Sequence, residues 1–375
     1  MPKKETADSV QAHTEAKLQF YTKYLERYLQ ILLIAQGIDK INIYDLYCGA
    51  GQYSDGNTGS ALRAVDAVWK AQVKNTQSKA INLHLNDLDQ GKVTNLRGLL
   101  ANKQSDEKKF AISFSTMEAF EFLKKLEPEL PKQDRHTRNL LFIDPYGYKD
   151  INRQSLEAVL SSGRTEVVLF LPIEQMYRFR NKTMDDEVDN SYVPLKHFIE
   201  QFNLDVASIT SEKDFITALE TALSFGDQYY TASYSIRNHT GHHYGMFFIT
   251  SNLLGLEKII EVKWELDSQQ GQGFTGDNQI DFFLETDRLS DLKEKIIKMV
   301  CTEEVDNRTM YEFVLKNGFR PKHANEVLRS LCDDGVIHTI DAKNMQRARK
   351  GSYKLNYQEF KSDKPAMIFR AGAGE

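Results

Sequence analysis

The residues best suited to chemistry in this chain follow a short β-branched and aromatic run that starts at Ile41. The run breaks into the pattern Asp45-x-x-x-Gly49-x-Gly51, with Tyr47 between the acid and the first glycine. Glycines at the end of a buried strand let the backbone turn sharply and approach a ligand near the start of the next helix. The pattern therefore predicts a site for a nucleotide-type ligand.

The spacing of this motif distinguishes between kinds of nucleotide-type site. It is not the Gly-x-Gly-x-x-Gly of dinucleotide-binding proteins. An acid at the end of the first strand followed by Gly-x-Gly is typical of S-adenosylmethionine (SAM)-dependent methyltransferases. We therefore expect SAM as the cofactor, with Asp45 binding its amino-acid portion and Tyr47, Gly49 and Gly51 in the same site. For this motif alone, a purely structural turn is the alternative.

A second motif, residues 142–148, ends another apolar run with Asp144, Pro145 and Tyr146. Methyltransferases that act on exocyclic amines carry Asp or Asn, then Pro, then an aromatic residue at this strand end. A base amine is a poor nucleophile because its lone pair is delocalised into the ring. Asp144 and the Pro145 carbonyl can accept its hydrogens and orient that lone pair toward the methyl donor, while Tyr146 stacks on the base. We interpret the three residues as catalytic; a strand end closed by a Pro-Tyr-Gly turn is the alternative.

Two further strand ends supply candidate cofactor contacts. Asp87 closes the second predicted strand, where an acid commonly accepts hydrogen bonds from both ribose hydroxyls. Asp89 competes for this role, and either acid is suited to cap the following helix. Met117 follows the third predicted strand and is a candidate to border the adenine, although a plain helix cap explains its Ser-Thr neighbours equally well.

The three cysteines restrict the possible chemistry. Cys48, Cys301 and Cys332 form neither a metal-ligand spacing nor a disulfide framework, which predicts no metal site and suits a reducing cytoplasm. Cytosine-C5 and uracil-C5 methyltransferases share the Asp-Leu-Tyr-Cys-Gly-x-Gly pattern, but they require a cysteine nucleophile. This chain has no Pro-Cys, and two of its cysteines fall in the C-terminal region, so we reject C5 chemistry.

Apolar runs alternate with helical patterns up to about residue 266, and two alternating runs, 229–236 and 244–250, end the series. Strands that are apolar along their whole length imply a mostly parallel sheet covered on both faces, here finished by an antiparallel pair. The sequence therefore predicts an α/β fold with a Rossmann-like class I methyltransferase sheet. The predicted divisions are an N-terminal helix packing on the core (1–40), the methyltransferase domain (41–266), a Gln-, Gly- and Ser-rich linker (267–280) and a C-terminal domain (281–375).

The C-terminal region shows short helical patterns followed by two short runs, 335–340 and 351–355, which predict a winged helix-turn-helix. The net charge of −5 and pI of about 6.0 give no general attraction to nucleic acid, so DNA or RNA contact requires a local basic patch. A protein-docking module is the alternative. The candidate nucleic-acid-binding residues, all in the predicted wing, are Arg347, Arg349, Lys350 and Lys354.

The N-terminal segment is polar and amphipathic, and no apolar run approaches the length that crosses a bilayer. We therefore expect a soluble, cytoplasmic protein without a membrane partner.

Together, the motifs resemble the three-Cys-motif partner proteins (TcmP), a bacterial and phage-associated family of methyltransferase-like proteins. This resemblance implies a Rossmann-like core, a helical C-terminal module and a partner protein similar to radical-SAM proteins. It supplies no settled substrate, and Tyr146 stands where the family commonly has Phe. The matching segments, in order, are 13–17 with Tyr24-Leu25, 44–53 with Gly59-Ser60, 142–148, 254–258 with Lys263-Trp264, and 319–323.

Two functional hypotheses follow from these residues. The first is a SAM-dependent N-methyltransferase that acts on an exocyclic amine of a nucleic-acid base or nucleotide. The second is a non-catalytic Rossmann scaffold whose winged helix binds DNA or the partner protein.

Overall fold

The computed structural model describes residues 11–101, 110–185, 187–238, 240–267, 271–275 and 288–372. The chain divides into two compact units, the first formed by residues 1–267 with 272–277 and the second by 268–271 with 278–375. Most of the predicted linker, residues 268–270 and 276–280, lies outside the described residues.

The helices of the first unit cover a central sheet. Three single turns of 3-10 helix, at 130–132, 180–183 and 206–208, connect some of the elements. The α-helices are α1 (Ala12–Ile34), α2 (Ser60–Gln72), α3 (Gln90–Ala101), α4 (Ala119–Glu129), α5 (Arg153–Leu160), α6 (Ile173–Phe179), α7 (Val193–Gln201), α8 (Glu212–Ala222) and α9 (Leu253–Leu266). The strands are β1 (Lys40–Asp45), β2 (Ala80–Asn86), β3 (Phe110–Ser115), β4 (Thr137–Ile143), β5 (Thr165–Leu171), β6 (Tyr230–Arg237), β7 (His243–Thr250) and β8 (Gly273–Thr275).

The sheet has the strand order β3-β2-β1-β4-β5-β7-β6-β8. Strands β1 to β5 are parallel, whereas β7 pairs antiparallel with both β5 and β6. The central strands are apolar and buried along almost their whole length because helices cover both faces. A parallel sheet that ends in an antiparallel pair is the arrangement expected of a class I methyltransferase core, and the predicted fold class is confirmed.

One short strand was not expected from the sequence. Gly273–Thr275 falls inside the segment interpreted as a linker, but it forms β8 and pairs parallel with β6. The Gln-, Gly- and Ser-rich composition suggested a loop because three residues are too few to show an alternating pattern.

The N-terminal helix α1 belongs to the first unit and packs on α2, α9 and β6. Tyr21 stacks on Phe142 of β4 at 4.1 Å between ring centroids. Arg63 of α2 donates to both carboxylate oxygens of Glu15, with its Nη1 3.0 Å from Oε1. Although α1 has 23 residues, no helix in the described part of the chain is both long and apolar enough to cross a membrane.

The second unit combines helices with a three-stranded antiparallel sheet of order β10-β11-β9. The predicted strand at 351–355 is wrong, because β10 pairs with β11 instead, and Lys354 has a positive φ of 53° that extended strands do not adopt. The elements of this unit are α10 (Arg288–Thr302), β9 (Val305–Asp306), α11 (Asn307–Lys316), α12 (Pro321–Asp333), β10 (Ile337–Asp341), α13 (Tyr357–Phe360) and β11 (Met367–Ala371).

Candidate functional site

The first motif places Asp45 at the carboxyl end of β1, where its side chain is fully buried. Its Oδ2 accepts a hydrogen bond of 2.6 Å from the Ser60 hydroxyl at the start of α2. Its Oδ1 accepts one of 3.2 Å from the backbone N–H of Tyr47. Asp45 therefore joins the strand end, the glycine turn and the following helix.

The Asp45 carboxyl has a strongly perturbed acidity. Burial raises its pKa to about 7, and the negative charges of Asp144 and Asp87 add to the rise, while the hydrogen bonds from Ser60 and Tyr47 oppose it. Near neutral pH this group changes charge readily. A cationic ligand group beside it would favour the ionised form, so the site is suited to bind a positive charge.

The two glycines of the turn have different surroundings. Both have positive φ, +63° at Gly49 and +85° at Gly51, where side chains are strained. A Cβ on Gly51 would lie 2.6 Å from Cδ1 of Leu96, whereas a Cβ on Gly49 would meet no atom within 4 Å. Gly51 is therefore required by packing, and Gly49 faces open space in which a ligand can lie.

This difference predicts unequal costs for a matched pair of substitutions. We expect Gly51→Ala to lower the free energy of unfolding by about 2–4 kcal/mol, because backbone strain adds to the clash with Leu96. Gly49→Ala adds only strain and is expected to cost about 1–2 kcal/mol. Urea unfolding of both variants measures the difference, and equal costs would contradict this description of the turn.

The second strand contributes Asp87, which is also buried. Its Oδ2 accepts a hydrogen bond of 3.0 Å from the N–H of Gly49, and its Oδ1 accepts one of 2.9 Å from the N–H of Asp89. Asp89 itself accepts hydrogen bonds from the N–H groups of Gly91 and Lys92 at the start of α3. The structure thus gives Asp89 the capping role and places Asp87 beside the glycine turn.

A residue not singled out from the sequence, Asn86, holds the strand ends together. Its side-chain amide is fully buried and donates to the carbonyls of Leu46 at 3.2 Å and Met117 at 3.0 Å. Its Oδ1 accepts a 2.7 Å hydrogen bond from the Ser115 hydroxyl. Met117 is therefore fixed beside the ends of β1 and β2 through its backbone, with its side chain half-buried.

The second motif places Asp144 directly after β4, at the same edge of the sheet as Asp45. Its Oδ2 lies 2.6 Å from the Nζ of Lys17 on α1, and no other described group donates a hydrogen bond to the carboxylate. Lys17 is 13% exposed, and its Nζ lies 4.6 Å from the ring centroid of Phe170. This ion pair brings α1 into the site.

Aromatic rings lie next to the ion pair of Lys17 and Asp144. Phe170 stacks on Tyr244 at 5.0 Å between centroids, and Tyr244 stacks on His13 of α1 at 5.3 Å. Phe170 is the last residue but one of β5 and Tyr244 is the second residue of β7, and these antiparallel neighbours meet at the edge that carries Asp144. Flat rings beside a carboxylate are suited to contact a planar acceptor.

The other two residues of the second motif differ in exposure. Pro145 is buried, whereas Tyr146 is 75% exposed. The Tyr146 hydroxyl accepts a 3.0 Å hydrogen bond from Lys92 Nζ, which also lies 5.5 Å from the Tyr146 ring centroid. Tyr146 is thus held at the rim of the site, where its ring is accessible to a base.

Tyr47 and Cys48 belong to the first motif, between Asp45 and Gly49. Burial raises the pKa of the Tyr47 phenol, and the charges of Asp150 and Asp144 add to the rise, so the phenol stays neutral beside Asp144. Burial likewise raises the pKa of the Cys48 thiol, with Asp45 and Asp87 contributing. Cys48 therefore lacks the thiolate that a nucleophile requires.

These residues fit the cofactor expected from the sequence. Asp45 offers a buried carboxylate to an amino group, Asp87 a second carboxylate beside the turn, and Gly49 the space in which a ligand can approach the backbone. The charges of Asp144 and Asp87 raise the pKa of Asp45, so this cluster of acids favours a ligand that carries positive charge, as the sulfonium and amino groups of SAM do.

In the second unit, the four wing residues fall into two pairs. Arg347 and Arg349 are exposed, and neither forms an ion pair with a carboxylate in the described part of the chain. Lys350 lies 2.6 Å from Asp333, and Lys354 lies 4.0 Å from Glu359. The two arginines are therefore the better placed for phosphate.

His323 in the segment 319–323 has a structural role. Its Nδ1 accepts a 3.2 Å hydrogen bond from the N–H of Arg320, directly before α12. Burial lowers the His323 pKa to about 4, and the charges of Lys322 and Arg320 lower it further, so the ring is neutral and able to accept.

Sequence comparison identifies a known type of domain in the second half of the chain. Residues 265–344 match the family model of the GMT-like wHTH domain. The C-terminal module is of the winged helix-turn-helix type. The match spans less than a quarter of the chain, and no curated protein sequence matches the chain significantly.

Solved structures with similarity to the chain include two O-methyltransferases. One, from Bacillus cereus in complex with SAH, is 12% identical with a TM-score of 0.34, covering 65% of this chain and 84% of that one. TomG from Streptomyces achromogenes, in complex with SAM, is 12% identical with a TM-score of 0.35, covering 65% and 82%. Because these scores are low, the fold assignment rests on the strand order rather than on these structures.

Proposed function

We propose that this protein is a SAM-dependent N-methyltransferase that acts on an exocyclic amine of a nucleic-acid base or nucleotide. The observation that carries the proposal is the placement of Asp45, Asp87 and Asp144 at one edge of a parallel sheet, around a glycine turn that faces open space. Ligands of open α/β sheets bind at this edge.

In this proposal the two motifs hold different molecules. Asp45, Tyr47, Gly49, Gly51, Asp87 and Met117 hold SAM, which supplies an electrophilic methyl group when bound. Asp45 binds the amino group of SAM in its ionised form, since a cation beside a carboxyl lowers its pKa. Asp87 binds the ribose hydroxyls.

Asp144, Pro145 and Tyr146 hold the acceptor amine. The Asp144 carboxylate and the Pro145 carbonyl accept the N–H hydrogens, and Tyr146 stacks on the base. Lys17 contacts Oδ2 of Asp144, which leaves Oδ1 for the acceptor. Lys17 is thus a positioning residue, and the rings of Phe170 and Tyr244 extend the acceptor surface.

A methyl-transfer assay tests the proposal. The full chain is incubated with methyl-labelled SAM and either genomic DNA or total RNA, and the nucleosides are analysed by mass spectrometry. We expect a labelled N-methyl nucleoside from one of the two nucleic acids. Salt-sensitive nucleic-acid binding without any transfer would contradict the enzyme and favour the scaffold hypothesis.

The scaffold hypothesis has one specific observation in its favour, the winged helix-turn-helix match over residues 265–344, which the exposed Arg347 and Arg349 closely follow. In the scaffold hypothesis the winged helix binds DNA or the partner protein. In both hypotheses the chain acts in the cytoplasm, where its three cysteines stay reduced. The resemblance to TcmP adds a radical-SAM-like partner protein to the proposal.

The pairing of the wing residues predicts which of them bind phosphate. We expect the double variant Arg347→Gln/Arg349→Gln to lower the slope of log affinity against log salt by about 2, since each phosphate contact contributes about 0.9. The matched double variant Lys350→Gln/Lys354→Gln is expected to change the slope by less, because Asp333 and Glu359 already neutralise those lysines. Fluorescence anisotropy with duplex DNA at several salt concentrations measures both slopes, and equal slopes would contradict this assignment.

A further inference from the structure

A pocket lies at the opposite edge of the sheet from Asp45 and Asp144, at the amino ends of β4 and β5. Its empty volume, which includes open solvent at its mouth, is about 490 Å³. None of its lining residues belongs to the site described above. Those that bear on its chemistry are Tyr24, Tyr28, Arg138, Arg164, Glu166 and Lys258.

Two guanidinium groups in this pocket lack a carboxylate partner. Arg138 and Arg164 donate only to backbone carbonyls, at 2.8–3.0 Å, and neither lies within 4.0 Å of a carboxylate oxygen in the described part of the chain. In proteins, a guanidinium group commonly binds a carboxylate or a phosphate through two parallel hydrogen bonds. The pocket therefore has charge available for an anion.

Two buried donors in the pocket also have no hydrogen-bond partner among the described residues. Tyr28 is 5% exposed and its hydroxyl is unpartnered, and the Nε of Arg164 is buried and unpartnered as well. Buried polar groups are nearly always hydrogen-bonded, because leaving one unsatisfied is costly. An acceptor atom of a ligand in the pocket would satisfy them.

The acid in the pocket does not cancel this positive charge. Glu166 already accepts hydrogen bonds on both oxygens, from the Tyr24 hydroxyl and, at 2.8 Å, from Thr250 Oγ1. Burial raises its pKa to about 7, so near neutral pH it carries less than a full negative charge. Lys258 forms ion pairs of 2.7 Å with two glutamates of its own helix. The remaining charge comes from Arg138 and Arg164.

We propose that this pocket binds a phosphate group, with the guanidinium groups of Arg138 and Arg164 and the hydroxyl of Tyr28 as the donors. A phosphate offers enough acceptor oxygens for all three donors, and its charge balances two guanidinium groups. Ile31 and Leu32 of α1 form an apolar wall that would contact the remainder of a phosphate ester. The site is separate from the one proposed for SAM.

Isothermal titration of the full chain with inorganic phosphate, and in parallel with glycerol 2-phosphate, tests the proposal. We expect saturable binding of at least one of them; tighter binding of the ester identifies a phosphorylated small molecule as the occupant, and equal or tighter binding of inorganic phosphate identifies free phosphate. Arg138→Gln and Arg164→Gln are each expected to weaken binding at least tenfold. The matched control, Arg135→Gln, removes an exposed arginine near Arg138 that does not line the pocket, and it is expected to change the affinity less than twofold.

Tyr28→Phe separates a binding role from a purely structural one. Because the hydroxyl is buried without a partner, the variant is expected to unfold at a higher temperature than the wild type when no ligand is present. It is also expected to bind phosphate several-fold more weakly, which a structural hydroxyl would not explain. The absence of saturable phosphate binding by the wild-type chain, or equal weakening by Arg135→Gln, would overturn the proposal.

Discussion

Replacing Asp45 with asparagine is expected to weaken binding of S-adenosylhomocysteine (SAH), the product form of the cofactor, at least a hundredfold. The amino group of SAH requires a negative charge, and asparagine cannot provide it. A buried charge pair that loses one partner typically costs several kcal/mol. Isothermal titration at pH 7.5 gives the two dissociation constants.

The same substitution is expected to raise, not lower, the stability of the free protein at pH 8. The folded-state pKa of Asp45 is about 7, against 3.8 for an ordinary aspartate, so the folded state holds its proton more tightly than the unfolded state does. The stabilisation from this proton is fully present below pH 4 and is lost as the pH rises through 7, which costs on the order of 4 kcal/mol. Asparagine carries no such charge, and after some loss of hydrogen bonding we expect a net gain of about 1–3 kcal/mol at pH 8.

Thermal unfolding at pH 8 and pH 5 measures this change, and the gain is expected to shrink at pH 5. Asp39→Asn is the matched control, because Asp39 directly precedes β1 at its other end and is exposed. It is expected to leave both SAH affinity and stability almost unchanged. If the Asp45→Asn variant is less stable at pH 8 and still binds SAH, Asp45 only stabilises the glycine turn and does not bind the cofactor.

Replacing Asp144 with alanine is expected to lower the rate of methyl transfer by a factor of about 10² to 10³, the usual cost of removing one preorganised electrostatic group at a reacting centre. SAH affinity is expected to stay within threefold of the wild-type value, because Asp144 is assigned to the acceptor. This split between rate and cofactor affinity distinguishes the acceptor role from general damage to the fold.

Asp150→Ala is the control for this second prediction, since Asp150 lies six residues further along the same connection and is not part of the motif. Single-turnover transfer to the nucleic acid that the labelling assay identifies gives the rates. Undiminished methyl transfer by Asp144→Ala would show that Asp144 takes no part in the reaction. Loss of SAH binding in the same variant would instead assign Asp144 to the cofactor site.

Three acids that the sequence analysis selects share one property. Asp45 is the last residue of its strand, Asp87 and Asp144 directly follow theirs, and the carboxyl ends of parallel strands lie at the same edge of a sheet. Local patterns were therefore enough to bring them together. The mostly parallel sheet with its antiparallel end was also predictable, since alternating strands and helices leave few topologies.

The partners of Asp144 were not predictable, because they come from distant segments without a local signal. Lys17 is 127 positions away in the chain, and its apolar neighbours indicated only an amphipathic helix. Phe170 and Tyr244 look like ordinary strand residues until the antiparallel pairing of β5 with β7 brings them to the same edge. The pairing of β10 with β11 was missed because a closer run, 351–355, had an equally good strand composition.

Equilibrium titration of the intact wild-type chain with SAH at pH 7.5 tests the central claim most directly, because it needs neither the acceptor nor a partner protein. If the carboxyl edge of the sheet holds SAM, one molecule of SAH binds per chain with a micromolar dissociation constant, and binding releases a fraction of a proton from Asp45, whose pKa of about 7 leaves it mostly ionised at pH 7.5. The absence of saturable binding up to millimolar SAH would contradict the proposed cofactor site and with it the methyltransferase function.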